Sequence, residues 1–253
     1  MSSQHCKRTI ISMAVIASAV ATLLHEGVGH GLTAWLRGDI VTELTSNHLS
    51  TVRADRWVSA AGTLANLLAG MLSFFASRKA GISPNLRYFL WLLAALNLLP
   101  AAGYFLFSGI FGFGDWNTVI QGLPHPLAIR FGMALFGFGL YGLFVKLLAV
   151  AARPFVPEPS AYNVVGRLPY IAACLFSCAA GALDPLGLKL FLVSTVPAAF
   201  GGSSGLLWAD ALMPHEPPAH PLFVQPSRAW WIAAALLGGC YIFFIGRGIH
   251  FNQ

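Results

Sequence analysis

The chain has 253 residues, 57% of them hydrophobic and only 9% charged, against the roughly 25% charged of an ordinary soluble domain. Fifteen basic and nine acidic side chains cannot cover the surface of a water-soluble protein of this length, which argues against a soluble globular domain. The net charge of +6 is modest and its Lys and Arg residues form no phosphate-tracking cluster, so no nucleic-acid partner is expected.

In chain order, the first predicted helix covers about 9–36. Its apolar run is too long for a cleaved signal peptide and reads as a retained membrane helix. Between Arg8 and Arg37 its only ionisable groups are His25, Glu26 and His30. A polar stretch follows at 37–56, in which IVTEL and LSTV are short β-branched pieces suited to a small hairpin at the membrane surface. The second helix is predicted over 57–77 and the third over 88–110, broken late by Pro100 and followed by the Gly- and aromatic-rich SGIFGFGDWN. A fourth spans about 128–152, with Lys146 able to snorkel to the headgroups.

After the Pro-rich ARPFVPEPSAYN come a fifth helix at 168–183, a sixth at 188–209 with Pro197 inside, and a last at 229–246. The fifth is short for a full crossing, and the alternative is half of a re-entrant pair with the segment after Asp184-Pro185. The fold expected is therefore an all-α polytopic membrane protein with six or seven transmembrane helices in a lipid bilayer, with a small β-hairpin between helices one and two. Its parts are a membrane core at 1–153 and additional C-terminal helices at 154–253. The distribution of Lys and Arg between alternate loops favours a cytoplasmic N-terminus. Cys174 and Cys178, one turn apart in an apolar run, read as small buried hydrophobes. HEPPAH at 215–220 holds two prolines, which forbid a regular helix there.

Ionisable groups inside a membrane helix cost several kcal/mol each and mark functional sites by default. HEGVGH at 25–30 places three of them together: two imidazoles and a carboxylate, the donor set and general base that a catalytic zinc site requires. The spacing is unusual. Residues five apart on a regular α-helix diverge by about 140°, so two imidazoles at 25 and 30 would not share one ion. Either a π-bulge absorbs the extra residue, with Gly27 and Gly29 tolerating it, or Glu26 and His30 face the metal and His25 stands outside.

HEGVGH is followed by AAGTLANLLAG (60–70) and NLLPAAGYFLFSGIFGFGDW (97–116), and in this order the three segments resemble the site-2 protease family of intramembrane zinc metalloproteases. The resemblance covers about residues 9–150. It implies Zn2+ held by His25, His30 and Asp115, Glu26 as the catalytic base, Asn66 and Asn97 as polar groups near the substrate or active site, and a transmembrane protein as substrate. The chain departs from the family pattern in its HExxxH spacing and in the position of Asp115, 15 residues after Pro100 in a GDW context. Two readings from other classes stay open: a metal or ion transporter, and a non-catalytic relative that binds partners in the membrane.

Overall fold

In a computed structural model the protein is described from residue 4 to residue 251. Among the described residues, six helices are long and apolar enough to cross a membrane: α1 (Lys7–Leu36), α2 (Arg56–Ser77), α3 (Pro84–Phe111), α5 (Pro126–Phe155), α6 (Pro159–Gly181) and α8 (Arg228–Ile245). Between them lie the short helix α4 (Asp115–Ile120) and the apolar α7 (Gly187–Gly202). A three-stranded sheet is built from β1 (Val41–Leu44), β2 (Leu49–Thr51) and β3 (Ile249–His250), in the order β2-β1-β3.

The boundaries correct several expectations. Pro100 does not break α3, which runs through it to Phe111. Proline removes one backbone N–H, and packing on both sides keeps the helix intact. The fifth helix starts not at 168 but at Pro159, because short 3-10 and π turns carry the chain from the Pro-rich segment straight into the α-helix. The sixth predicted span ends at Gly202 rather than 209, leaving α7 short of the roughly 20 residues a crossing needs.

Helix α3 is the centre of the bundle, packed against α2 and α5 and in contact with α1 and α7. Its buried aromatics are anchored by hydrogen bonds across helices. Tyr88 Oη donates to the Val165 carbonyl at 2.8 Å, and Trp91 Nε1 to the Leu148 carbonyl at 3.0 Å. One hydrophobic core runs from Ile10 to Val224, so the C-terminal helices pack into the same bundle as the first five. Small residues let the backbones close: a Cβ on Gly137 would lie 2.5 Å from the Leu106 nitrogen. The outer faces carry exposed Leu64, Leu68, Leu72, Phe138, Leu236 and Leu237, an arrangement suited to lipid contact.

The hairpin of β1 and β2 forms as the sequence suggested, and β3 adds to β1 from the far end of the chain. Its stem is closed by an Arg37–Asp55 ion pair, and Asp55 also caps α2 by accepting from Trp57 N at 2.7 Å. Its turn is fastened to the C-terminal half. Asn47 Nδ2 donates to Asp184 at 2.9 Å, and Thr195 Oγ1 donates to Asn47 Oδ1 at 2.8 Å.

His5, ahead of α1, bridges two further segments. The Val224 N–H donates to Nδ1 at 3.2 Å, so the ring proton sits on Nε2, which donates to the Phe155 carbonyl at 2.8 Å. Burial holds this imidazole below its ordinary value of 6.5, the Phe155 carbonyl only partly offsetting it. A depressed histidine pKa means the folded state takes up the proton less readily than the unfolded chain. His5 therefore contributes stability at neutral pH that is lost as pH falls below about 6.5. The thermal midpoint of the detergent-solubilised protein is expected to drop between pH 7.5 and 5.5, and His5→Gln to shrink that drop. An identical pH profile in the variant would contradict this.

Candidate metal centre

The site begins with a local backbone choice. Residues Leu24–Leu32 of α1 are π-helical, flanked by α-helix on both sides. Hydrogen bonds closing at i→i+5 bring residues five apart onto one face. His25 and His30 accordingly stand together, their ring centroids 4.7 Å apart and nearly perpendicular.

Helix α2 fits against this turn through two glycines. A Cβ on Gly29 would meet Gly62 Cα at 2.5 Å, and a Cβ on Gly62 would meet His30 Nε2 at 2.5 Å and His25 Nε2 at 2.7 Å. The contact is backbone on backbone, and it leaves room for the two rings and nothing more. His30 is oriented from α2 as well: its Nδ1 lies 2.6 Å from the Val58 carbonyl.

Asp115 reaches the site by a short excursion at the end of α3. Gly112 closes that helix with φ 64°, Gly114 follows at φ 87°, and Asp115 opens α4. The positive φ values are why glycine occupies both corners. Arg130 of α5 caps the freed end of α3, donating to the carbonyls of Gly109 and Ile110 at 3.0 and 2.6 Å. Trp116 fixes the neighbouring residue. Its Nε1 donates to Thr63 Oγ1 of α2 at 3.1 Å, and its ring packs on Phe105 at 4.4 Å.

The outcome is convergence. Asp115 Oδ2 lies 3.2 Å from His25 Nε2 and 3.5 Å from His30 Nε2. His25, Glu26 and His30 are all buried and offer ligand atoms within 4.8 Å of one another. Burial by itself would raise the Asp115 carboxyl, but hydrogen bonds and charge from the two imidazoles hold it well below the usual carboxylate range.

The donor chemistry suits a cation. A carbonyl only accepts, so the proton of neutral His30 must sit on Nδ1, facing Val58, and Nε2 presents a lone pair. That lone pair faces the Asp115 carboxylate oxygen, so a proton or a positive ion belongs between them, and His25 Nε2 lies 3.2 Å from the same oxygen. Two imidazole nitrogens and a carboxylate oxygen form the kind of set that takes a divalent ion such as zinc. The His30–Val58 bond is the outer partner that fixes a ligating imidazole in register. Glu26 Oε2 and His25 Nδ1 are buried without a hydrogen-bond partner, a costly state that an ion or substrate beside them would relieve.

Two cavities meet at this point, with Glu26, Asn47 and Tyr104 lining both. The larger, about 470 Å³, lies under β2 and includes His30, Asp115, Asp55 and Thr118. The smaller, about 130 Å³, lies between α1, α2, α3 and the C-terminal helices.

Asn66 and Asn97 have different positions. Asn66 lines the smaller cavity with a buried, unpartnered Oδ1. Asn97 is fully buried, donates to the Leu93 carbonyl of its own helix at 2.7 Å, and lines neither cavity. The Asn97 amide nitrogen is turned back onto its own helix, while its Oδ1 is buried without a partner.

The sequence reading missed Tyr104. Its ring stacks on His25 at 4.9 Å and 22°. A tyrosine seven residues after Asn97 in an apolar helix has no pattern to set it apart, although a polar tip in a buried span is itself a signal. Comparison of the chain with protein-family models, with curated proteins and with solved structures found no match in any of the three.

Proposed function

We propose that this chain is a multi-pass membrane protein acting as a zinc-dependent intramembrane peptidase on transmembrane substrates. The observation that carries the reading is the π-helical turn of α1, which brings His25 and His30 together on Asp115 with Glu26 beside them. The order of the three motifs, resembling that of the site-2 proteases, supports the same reading.

In this reading His25 Nε2, His30 Nε2 and an Asp115 carboxylate oxygen hold the ion. Zinc there would supply Lewis acidity, polarising a substrate carbonyl and making water a stronger acid. Glu26, whose carboxylate faces both cavities, takes the proton of the attacking water and delivers it to the departing amine nitrogen. His25 and His30 stay neutral while they act as ligands, His30 because its Nδ1 proton is committed to Val58.

His25, Glu26 and His30 are buried, which strengthens the charge interactions among them. A substrate helix must open before its carbonyls are free to react. The outer edge of β2, beside the larger cavity, offers backbone groups to the opened strand. Asn66 Oδ1 can accept one of its N–H groups. Asn97 has no role in this account.

Tyr104 is placed to donate its phenol hydrogen to the oxygen that gains charge. Removal of one such donor typically costs about a hundredfold or more in turnover. Tyr104→Phe is expected to lower kcat by about that factor with KM little changed; an unaltered kcat removes the tyrosine from the chemistry.

Metal analysis tests the whole reading. Protein purified in detergent without added metal is expected to carry one zinc per chain, to lose it to a strong chelator, and to lose it in His30→Ala and Asp115→Ala. A chain that takes up no divalent ion under any loading condition is not a metallopeptidase.

A further inference from the structure

We infer that the smaller cavity is a subsite for a serine or threonine side chain of a membrane-embedded substrate segment. The inference rests on the peptidase reading for its position beside the reacting bond, since Glu26 and His25 form one wall.

The cavity is unusual for the interior of an apolar bundle. Hydroxyl residues converge on it from separate elements: Ser18 on α1, Ser177 on α6, Ser194 on α7, and Ser203 just past it. Ser18 and Ser177 bond to each other across helices at 3.0 Å. Four further polar atoms of its lining residues are buried with no partner: Glu26 Oε2, Asn66 Oδ1, Ser46 Oγ and His25 Nδ1. Pro100 also lies on the wall, and the N–H it lacks is the one that would have paired with the carbonyl of Leu96, another lining residue.

Polar groups are costly to strand in an apolar interior, so a cavity that gathers this many calls for a hydrogen-bonding occupant. The unpartnered set is richest in acceptors, the oxygens of Glu26 and Asn66. An occupant must therefore bring a donor. Size limits the choice. A space of about 130 Å³ matches roughly four waters at about 30 Å³ each, or one short side chain with its peptide group. A hydroxyl side chain meets both requirements. Valine has the shape of threonine without the donor, and leaves the two acceptors unpaired. Sites built to bond a hydroxyl reject the analogue lacking it far more strongly than apolar pockets discriminate by size.

The test uses two model transmembrane segments of about 20 residues, a Leu/Ala helix with a central Gly-Thr-Gly or Gly-Val-Gly. Their binding to the full chain, solubilised and stripped of metal with a chelator, is measured by fluorescence anisotropy. Cleavage is then measured with zinc restored. The threonine segment is expected to bind at least about tenfold more tightly than the valine segment. Asn66→Leu and, separately, Ser46→Ala are expected to bring that ratio toward one. Equal binding of the two segments by the native chain overturns the subsite and leaves a cavity that holds only water. A preference that survives both substitutions overturns it as well. A threonine preference in binding, with no cleavage by the zinc-loaded chain, leaves the subsite standing and removes the peptidase reading instead.

Discussion

Glu26→Gln is expected to lower kcat for a cleavable transmembrane reporter by about a thousandfold, within the range that general base catalysis contributes, while zinc content stays at one per chain. Glutamine keeps the shape and the acceptor oxygen of glutamate but cannot take a proton at neutral pH. The two cavities therefore keep their walls, and His25, His30 and Asp115 keep their mutual distances of 3.2 and 3.5 Å. What disappears is the transfer of a proton between water and leaving nitrogen, worth about 4 kcal/mol of barrier for that factor. The outcome separates the classes of function. A peptidase loses turnover, whereas a carrier that moves ions past the same histidines keeps vesicle metal uptake in the variant. Cleavage at the native rate by Glu26→Gln, with clean controls, would leave the proposed chemistry without its base.

Gly62→Ala is the second large effect. The added methyl would sit 2.5 Å from His30 Nε2 and 2.7 Å from both His25 Nε2 and His30 Cε1. Neither ring can easily retreat. His30 is tied to the Val58 carbonyl, and His25 is stacked on Tyr104. The helices cannot part locally either, because Gly29 lies backbone to backbone against the same residue. One or both imidazoles must rotate away from Asp115, and a misplacement of about 1 Å in such a site costs on the order of a hundredfold. Zinc affinity, measured by competition with a chromophoric chelator, is expected to fall by at least that factor. Gly27→Ala serves as the control. It lies in the same π-helical turn with nothing within 4 Å of the added carbon, so its zinc affinity is expected to match the native chain. Normal zinc binding by Gly62→Ala would mean that the close fit of α2 does not hold the rings.

The sequence made some of this visible through simple physics. Helices announce themselves when charge is sparse over about twenty residues, and each of the six long apolar helices has an 18-residue window with at most two charged side chains. HEGVGH stood out because three ionisable groups within six residues of an apolar helix need more compensation than packing alone supplies. Its odd spacing posed a definite geometric question, which Leu24–Leu32 answers with a π-helix. The hairpin was legible from β-branched pieces, but β3 was not, since two residues carry no periodicity and its partner Glu43 is some two hundred residues earlier. Helix starts hidden among prolines were misjudged, because Pro159 and Pro169 each occupy the first turn of a helical element, where proline is tolerated. Asn97 and Tyr104 show a different limit. Both are polar residues on one apolar helix, and which of them faces a cavity depends on the rotation of α3 against its neighbours, a property of packing that no local pattern reports.

The π-helical turn reaches beyond coordination, for it also acts as a rotational offset in the chain. One surplus residue turns everything downstream by roughly 100° relative to an uninterrupted α-helix. Trp35, Leu36 and the departure of the hairpin toward Asp184 are all indexed to that offset. Deleting one residue from 27–29 would give the histidines the commoner four-residue separation, yet it would also swing the hairpin off its anchor. The meeting of the two histidines and the aim of the hairpin are thus set by the same single residue, and neither can be retuned by respacing alone.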